Sequence, residues 1–220
     1  MQRVARGWES QLRIAVDELV NFGALLPLIN AFDQLQSGVQ LRFTHESVGG
    51  TWEALHDGRA DLVVAATNEP PAIAGLKWFE LDKIEWVFAV SPHHPLAKTE
   101  HALTGADISR HRSVVVADSA RYRNQKTFGV QPGQSVLAVP GMKQKIAAQR
   151  VGLGCGWLPR RAIMSLLASG ELVAPELDAK REPNILYVGW IDNAAGRALQ
   201  WWTSELRNPR LTGLFFGSLT

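Results

Sequence analysis

Residues 39–66 constrain the fold most, because they encode a strand, a short helix and a second strand in immediate succession. Apolar and polar residues alternate over residues 39–44, which is the period-two pattern of a strand with one buried face. After a Gly-Gly turn, residues 51–57 predict a helix of about two turns, ended by Gly58. Residues 62–66 are all apolar, as expected for a parallel strand covered on both faces. This order predicts an α/β fold with a right-handed crossover.

Composition and charge restrict the class of protein. The chain has 220 residues, 46% hydrophobic and 20% charged, enough for one large core or two small ones. A net charge of +2 is too small to indicate a nucleic-acid-binding surface by itself. The single cysteine, Cys155, excludes an intrachain disulfide and is typical of a reducing compartment. Met1 leads into charged residues, and no apolar run approaches about 18 residues, so we expect a soluble cytoplasmic protein.

Two sets of α/β elements are separated by a stiff connector, the sequence Ser-Pro-His-His-Pro at residues 91–95. The first set includes a helix over residues 19–35, in which Pro27 should distort the first part. The second set begins with a buried strand over residues 112–117. A final helix is predicted from about residue 194 to 207. Two α/β units joined in this way predict a two-lobed architecture.

The candidate ligand site follows from where the predicted strands end. Open α/β sheets bind ligands at the carboxyl edge of their parallel strands, where each strand passes into a helix or a loop. Four such segments should line a cleft: Asp17, Glu18, Leu19 and Val20; Ser47, Val48, Gly49 and Gly50; Asp118, Ser119 and Ala120; and Pro140, Gly141 and Met142.

Motifs that would indicate a cofactor, a catalytic nucleophile or a metal site lack the surrounding sequence that they require. Residues 152–156 resemble part of a dinucleotide-binding fingerprint, but that motif needs a strand before it and a helix after it, and here the order is reversed. Cys155 is interpreted as a small buried hydrophobic residue. The adjacent His93 and His94 point apart and are interpreted as solvated loop residues, not metal ligands. Ser119 lacks the G-x-S-x-G context of a nucleophile. We predict no enzyme, no cofactor and no metal.

Four sequence blocks together resemble a known family. Residues 55–64, Leu-His-Asp-Gly-Arg-Ala-Asp-Leu-Val-Val, resemble the L-x-x-G-x-x-D signature of the effector-binding domain of LysR-type transcriptional regulators. Residues 90–97, 147–159 and 168–173 resemble further blocks of that domain. The blocks occur in the family's order and extend over residues 11–207.

The resemblance implies a periplasmic-binding-protein-like (type II) fold of two Rossmann-like lobes with a cleft between them. Lobe I would comprise residues 11–90 and 191–220, lobe II residues 91–190, and residues 1–10 the end of a linker helix. The chain would be a domain without the family's N-terminal winged helix-turn-helix, and promoter DNA would bind only through that missing domain. A small effector would then alter how the full-length oligomer holds DNA.

Two other classes of protein remain as alternatives. A solute-binding protein of a transporter shares the fold, but it would need an export signal. An enzyme on this fold would need a catalytic constellation, which the sequence does not show. A helix-turn-helix upstream of this chain would support the regulator, and a signal peptide would support the transporter protein.

The acidic residues at the strand ends suggest the chemistry of the effector. Asp17, Glu18, Glu46 and Asp118 would place up to four carboxylates at the mouth of the cleft, and ionised carboxylates accept only hydrogen-bond donors. This favours an effector with N–H or O–H groups, such as a nucleoside, an amine or a polyol. The alternative is that these acids only cap helices or face solvent.

The resemblance also implies an antiparallel, side-by-side homodimer, and a tetramer for the full-length protein. The strand and helix at residues 39–44 and 21–35 would pair with those at residues 135–139 and 141–150 of a second copy. An apolar strand at a sheet edge needs such a cover, and a two-fold contact is the commonest one.

Overall fold

The computed structural model describes residues 7–122, 127–192 and 196–208, which divide into two units. Unit 1 comprises the described residues within 1–83, 119–125 and 185–217, and unit 2 those within 84–118 and 126–184. Sequence reasoning did not anticipate that residues 119–122 belong to unit 1. Residues 1–6 of the expected linker helix lie outside the described residues, and residues 7–10 form no helix.

The described residues form nine strands and six α-helices, together with two 3₁₀ turns. None of these helices is long and apolar enough to cross a membrane. In chain order, the elements are β1 (Gln11–Asp17), α1 (Leu26–Asp33), β2 (Gln40–Glu46), α2 (Gly50–His56), β3 (Leu62–Ala66), β4 (Leu76–Ile84), β5 (Trp86–Ala89), α3 (Gly105–Ser109), β6 (Ser113–Val116), β7 (Val136–Val139), α4 (Met142–Arg150), β8 (Gly156–Pro159), α5 (Arg160–Ala168), β9 (Asn184–Ile191) and α6 (Arg197–Glu205).

Unit 1 is built on a five-stranded mixed sheet in the order β2-β1-β3-β9-β4. β1 runs parallel to both β2 and β3, whereas β9 pairs with β3 in the antiparallel sense. Every residue of β3 is buried, as its continuous apolar run predicted. Asp17 and Glu46 are register partners at the ends of β1 and β2, so the two predicted segments that follow them leave the sheet side by side.

Unit 2 contains two small two-stranded sheets. β5 pairs with β8 in the antiparallel sense, and β6 runs parallel to β7. Single bridges, such as Ser113 to Cys155, add further links between its segments. β6 and β7 end as neighbours, because Val116 is the register partner of Val139. This places Asp118 and the segment 140–142 at adjacent strand ends.

Three elements differ from the sequence prediction. The helix expected over residues 19–35 is a 3₁₀ turn over Phe22–Leu25 followed by α1, and Pro27 lies in the first turn of α1. That confirms the expected irregularity, since proline is tolerated only where its missing N–H is not needed. Sequence reasoning missed β4, because charged residues along this edge strand obscure the alternation. It also missed α3, a helix of only five residues.

Buried tryptophans anchor the core of unit 1, as predicted. Trp52 of α2 is 5% exposed and packs against Tyr187 of β9, while its indole N–H donates to the Asn68 carbonyl at 2.9 Å. Trp202 of α6 is fully buried and contacts the rings of Phe32 and Phe43. These contacts join both helices to the central sheet. The predicted position Ala195 on the stripe of α6 lies outside the described residues.

Gly189 allows Trp52 to pack on the sheet, and this contact yields a first prediction. A Cβ atom at Gly189 would lie 2.5 Å from Cζ3 of Trp52, much closer than van der Waals contact allows. We expect Gly189→Ala to lower the free energy of unfolding by roughly 1–3 kcal/mol, as overpacking does in other cores. Urea denaturation followed by circular dichroism measures the change.

Gly105→Ala is the matched control, because a Cβ atom there would lie 3.4 Å from its nearest neighbour, the Gln131 side chain. Its stability should stay within about 0.5 kcal/mol of the parent. Equal stabilities of the two variants would contradict the packing argument.

Candidate functional site

The structure brings three of the predicted segments together within unit 1. The turn after Asp17 and the loop from Ser47 to Gly50 leave neighbouring strands, and the Glu18 N–H donates to the Glu46 carbonyl at 2.9 Å. The Ser119 N–H also reaches the Ser47 carbonyl, at 3.4 Å. Asp118 and residues 140–142 lie in unit 2, where the Ala117 N–H donates to the Val139 carbonyl at 2.9 Å. The segments therefore form one cluster in each unit.

Ser119 fixes the loop from Ser47 to Gly50. Its hydroxyl oxygen accepts from the Ser47 N–H at 2.9 Å and donates its proton to Oε2 of Glu46 at 2.6 Å. Gly50 completes this packing, because a Cβ atom there would lie 1.9 Å from Oγ of Ser119. From the sequence, Gly50 is explained only as part of a turn. In the structure, a glycine is needed there because Ser119, 69 positions further along the chain, lies against it.

Two buried carboxylates hold the segment that contains Ser119. Glu46 pairs with Nη1 of Arg59 at 2.5 Å, and Nη2 of the same arginine lies 3.6 Å from Glu53. Glu53 in turn accepts the backbone N–H groups of Arg121 at 2.6 Å and Tyr122 at 3.0 Å. Sequence reasoning missed Arg59 and Glu53 as site residues, since nothing in their local pattern shows that they meet residues 119–122.

Asp17 is buried, and its surroundings disfavour the ionised form. It is 1% exposed and accepts hydrogen bonds from the Leu19 N–H at 3.1 Å and the Thr51 hydroxyl at 3.2 Å. Burial raises the pKa of the Asp17 carboxyl well above its ordinary value, and the charge of Glu18 raises this pKa further. The hydrogen bonds only partly offset these effects.

These contacts weaken the electrostatic argument made from the sequence. Of the four carboxylates expected to repel an anion, Asp17 has a pKa raised by burial and Glu46 is paired with Arg59. Asp118 is 9% exposed. Asp17 and Glu46 are buried and do not face solvent, and their burial and pairing make the strand ends of unit 1 less repulsive to an anion than the sequence suggests.

Val48 has a strained backbone in the middle of the predicted loop. Its φ angle is +57°, in the left-handed region that β-branched residues rarely adopt. The Asn68 side chain holds the peptide in place by donating Nδ2–H to the Val48 carbonyl at 3.2 Å. Such strain costs about 1–3 kcal/mol and persists where surrounding contacts enforce it, often at ligand sites. It is an independent indication that this loop is functional.

Unit 2 offers backbone donors and one unpaired buried amide. α4 begins after Gly141, which as a glycine supplies no side-chain cap. On the same helix, Gln149 is fully buried, and neither its side-chain nitrogen nor its oxygen has a hydrogen-bond partner among the described residues. Sequence reasoning missed Gln149, although a polar residue on the apolar face of a predicted helix is a usable signal. Within the described ranges, no group of three acidic, His or Cys side chains is arranged to hold a metal ion.

The interpretation of Cys155 is confirmed, and that of His94 was wrong. Cys155 is fully buried, and burial raises the pKa of its thiol to about 11, so it does not form a nucleophilic thiolate near neutral pH. His94 is 7% exposed rather than solvated; its Nδ1 accepts from the Leu96 N–H at 3.2 Å, and its ring centre lies 4.9 Å from that of His111. Burial and the nearby His111 lower the pKa of His94. The expected connector is a turn within unit 2: the His94 N–H donates to the Ser91 carbonyl at 3.0 Å, and a 3₁₀ turn over Pro95–Lys98 follows.

The fold and these strand ends define a class of protein: two α/β units whose polar loops follow parallel strands, as in domains that bind small molecules. Residues 5–209 match the model of the LysR substrate binding domain, so the chain belongs to that family, the effector-binding domains of LysR-type regulators. The family and fold class predicted from the sequence are confirmed, and the transporter alternative is not favoured.

Curated relatives agree with this assignment. The chain is 38% identical over 214 residues to the uncharacterized HTH-type transcriptional regulator YeeY of Escherichia coli, and this alignment covers 97% of the chain and 69% of YeeY. It is 30% identical over 175 residues to the HTH-type transcriptional activator AllS of Klebsiella pneumoniae, covering 79% of the chain and 65% of AllS. The chain thus spans about two thirds of the length of these relatives. Their family is one of transcriptional regulators, which is not an enzyme class.

Solved structures share the fold at low sequence identity. The regulatory domain of MetR from N. meningitidis superposes with a TM-score of 0.65 at 19% identity, covering 92% of this chain and 93% of that domain. The effector binding domain of QuiR in complex with shikimate gives a TM-score of 0.64 at 15% identity, with 90% and 96% covered. At these identities the likeness establishes the fold alone.

The buried Asp17 carboxyl predicts how stability depends on pH. Because its pKa is higher in the folded than in the unfolded chain, the folded state holds the proton more tightly, and stability decreases as pH rises above about 4. An asparagine at this position cannot ionise. Its side-chain oxygen can still accept from the Leu19 N–H, and its amide N–H can donate to the Thr51 hydroxyl oxygen. We therefore expect Asp17→Asn to be more stable than the parent at neutral pH, with a difference that shrinks toward pH 4.

Thermal unfolding of both proteins between pH 4 and pH 8 measures this difference. A stability gap between Asp17→Asn and the parent that does not change with pH would show that Asp17 is not the titrating group.

Proposed function

We propose that this chain is the sensing part of a transcription regulator and that a small-molecule effector binds at the four strand-end segments. The segments are residues 17–20, 47–50, 118–120 and 140–142. The observation that carries the proposal is the loop from Ser47 to Gly50, where a strained valine is held between Asn68 and Ser119. Because contacts on both sides hold the loop in its strained conformation, the loop is already ordered before a ligand binds.

The proposed effector carries hydroxyl or N–H groups. Ser47 and Ser119 supply oxygen and backbone groups, and Glu46 is a buried acceptor beside them. Because burial raises the pKa of the Asp17 carboxyl and Glu46 is paired with Arg59, a single carboxylate on the effector is compatible with this site. A polyol, amine or nucleoside remains our proposed class. That QuiR is in complex with shikimate supports a small molecule as the ligand of this fold.

The proposed output is a change in how the full-length protein holds promoter DNA. The relatives are named HTH-type regulators, and we assign DNA contact to their helix-turn-helix and not to the domain described here. Binding rather than catalysis is the proposed activity, and the cytoplasm is the proposed location.

We also propose that two copies assemble side by side, with α1 and β2 of one copy against β7 and α4 of the other. β2 and β7 are edge strands, and each exposes part of its length. Apolar side chains lie on these elements, among them Val136, which is 43% exposed, and Leu26, which is 53% exposed. Covering them in an isologous contact removes unpaired strand edges from solvent. In the full-length protein this contact would contribute to a tetramer.

Replacement of Ser47 by Trp tests the effector site. A thermal-shift screen against a metabolite library first identifies a ligand, because binding to the folded state raises the melting temperature. Ser47→Trp should then abolish the shift, since Ser47 is 5% exposed and an indole would fill the loop. Ser204→Trp, at an exposed position of α6 in the same unit, is the matched control and should leave the shift unchanged.

Val48→Gly is a second variant, for the case that Ser47→Trp does not fold. Glycine relieves the positive φ angle, so stability should be kept or improved while the loosened loop binds more weakly, by roughly tenfold. Unchanged affinity of Val48→Gly, together with an unchanged shift in a folded Ser47→Trp, would contradict this location of the site.

Substitution on β7 tests the assembly. Val136→Lys should convert a dimer into a monomer, because it places a charge in the proposed contact. Met164→Lys on α5, which replaces a side chain that is 61% exposed, is the control and should stay dimeric. Size-exclusion chromatography with light scattering measures the mass. A monomeric parent at high protein concentration would refute the proposal.

A further inference from the structure

The guanidinium of Arg181 lies between two indole rings in unit 2. Its Cζ is 4.9 Å from the ring centre of Trp86 and 5.4 Å from that of Trp157. Trp86 lies on β5 and Trp157 on the antiparallel β8, where Trp157 is the register partner of Phe88. Trp86 and Phe88 are two residues apart, so both tryptophans project from the same face of this sheet. We call Arg181, Trp86, Trp157 and Asn184 the Arg181 cage.

The positive charge in the cage has no Asp or Glu counter-ion. All 21 Asp and Glu residues of the chain fall within the described ranges, yet none of their carboxylates makes an ion pair with Arg181. Glu85, beside Trp86, pairs instead with Arg160 at 3.5 Å. Burial of Arg181 lowers its pKa, as expected for a guanidinium that is partly removed from water beside no counter-charge.

Most hydrogen-bonding capacity of this guanidinium is also unused by the described residues. A guanidinium has five N–H donors, and here the single hydrogen bond within the described ranges runs from Nη2 to Oδ1 of Asn184 at 3.5 Å. That oxygen already accepts a shorter bond, 2.8 Å, from the indole N–H of Trp86. Asn184 therefore orients Trp86 more than it satisfies Arg181.

The geometry of the cage restricts which ligand can use these donors. One indole ring lies 4.9 Å and the other 5.4 Å from Cζ, so an acceptor can reach the N–H groups only from the sides that the rings leave open. Gly129 packs beside the cage: a Cβ atom there would lie 2.6 Å from Cδ1 of Trp157 and 3.5 Å from Nη1 of Arg181, so a side chain at position 129 would clash with Trp157. The guanidinium of Arg181 presents its N–H donors as a planar fork, and a carboxylate, which is planar and has two acceptor oxygens, matches that geometry.

We propose that the Arg181 cage binds the carboxylate group of a small molecule. None of its residues belongs to the four proposed effector segments, so this is a second site, independent of the effector. The alternative is that the Arg181 cage has only a structural role and packs the start of β9 against β5 and β8. A binding site would respond saturably to carboxylates, and a purely structural cluster would not.

The test is an NMR titration of the arginine Nε–Hε signals, with sodium acetate as the probe and sodium chloride at the same ionic strength as the reference. The signal that disappears in Arg181→Lys is that of Arg181. Acetate should shift this signal saturably, while chloride leaves it unchanged. In Arg181→Lys, which keeps the charge but not the planar fork, acetate should bind roughly tenfold more weakly, as followed by the backbone N–H of residues 86 and 157.

Two controls make the result decisive. Arg110→Met, at an exposed arginine of unit 2, should leave the acetate response unchanged, and so should Val48→Gly, which is expected to fold and separates this site from the proposed effector loops. A response to acetate that is linear or equal to that of chloride would overturn the proposal. Loss of the response in Val48→Gly, or full affinity retained in Arg181→Lys, would also overturn it.

Discussion

The arrangement of the strand ends in unit 1 depends on the charge of Arg59. This guanidinium pairs with Glu46 at the end of β2 and lies beside Glu53 of α2, and both carboxylates are almost inaccessible to water. Buried carboxylates need a counter-charge, and leaving such a pair incomplete costs about 3–5 kcal/mol in comparable cases. With their charge compensated, the two acids are free to accept hydrogen bonds from Ser119, Arg121 and Tyr122. One arginine thereby joins a strand end, a helix and a distant segment.

A preorganised loop is the consequence of that arrangement. Ser119, positioned by Glu46, accepts from the Ser47 N–H and packs against Gly50, while Asn68 holds the Val48 carbonyl from the other side. The strained φ angle of Val48 is stable only because these contacts enforce it. A loop held in this way loses little conformational entropy when it binds a ligand, which supports the effector site that we propose there.

Much of the fold was predictable because local patterns and burial agree. The continuous apolar run of β3, the alternation in β2 and the apolar stripe of α6 each identify an element that the structure contains. β4 was not predictable in the same way, since an edge strand faces solvent and carries charges that hide its period. The family, likewise, was recognisable from blocks such as residues 55–64, which combine a helix end with the start of β3.

By itself, the sequence determined the α/β class, the family and the positions along the chain where strands end and loops begin. These follow from residue periodicity and from turn residues, which act over a few positions. Only the tertiary structure decided that Ser119 meets Glu46 and Gly50, that burial raises the pKa of the Asp17 carboxyl, and that Arg181 lies beside both Trp86 and Trp157. Each of these joins residues far apart in sequence or depends on exclusion from water, and local sequence patterns carry no information about either.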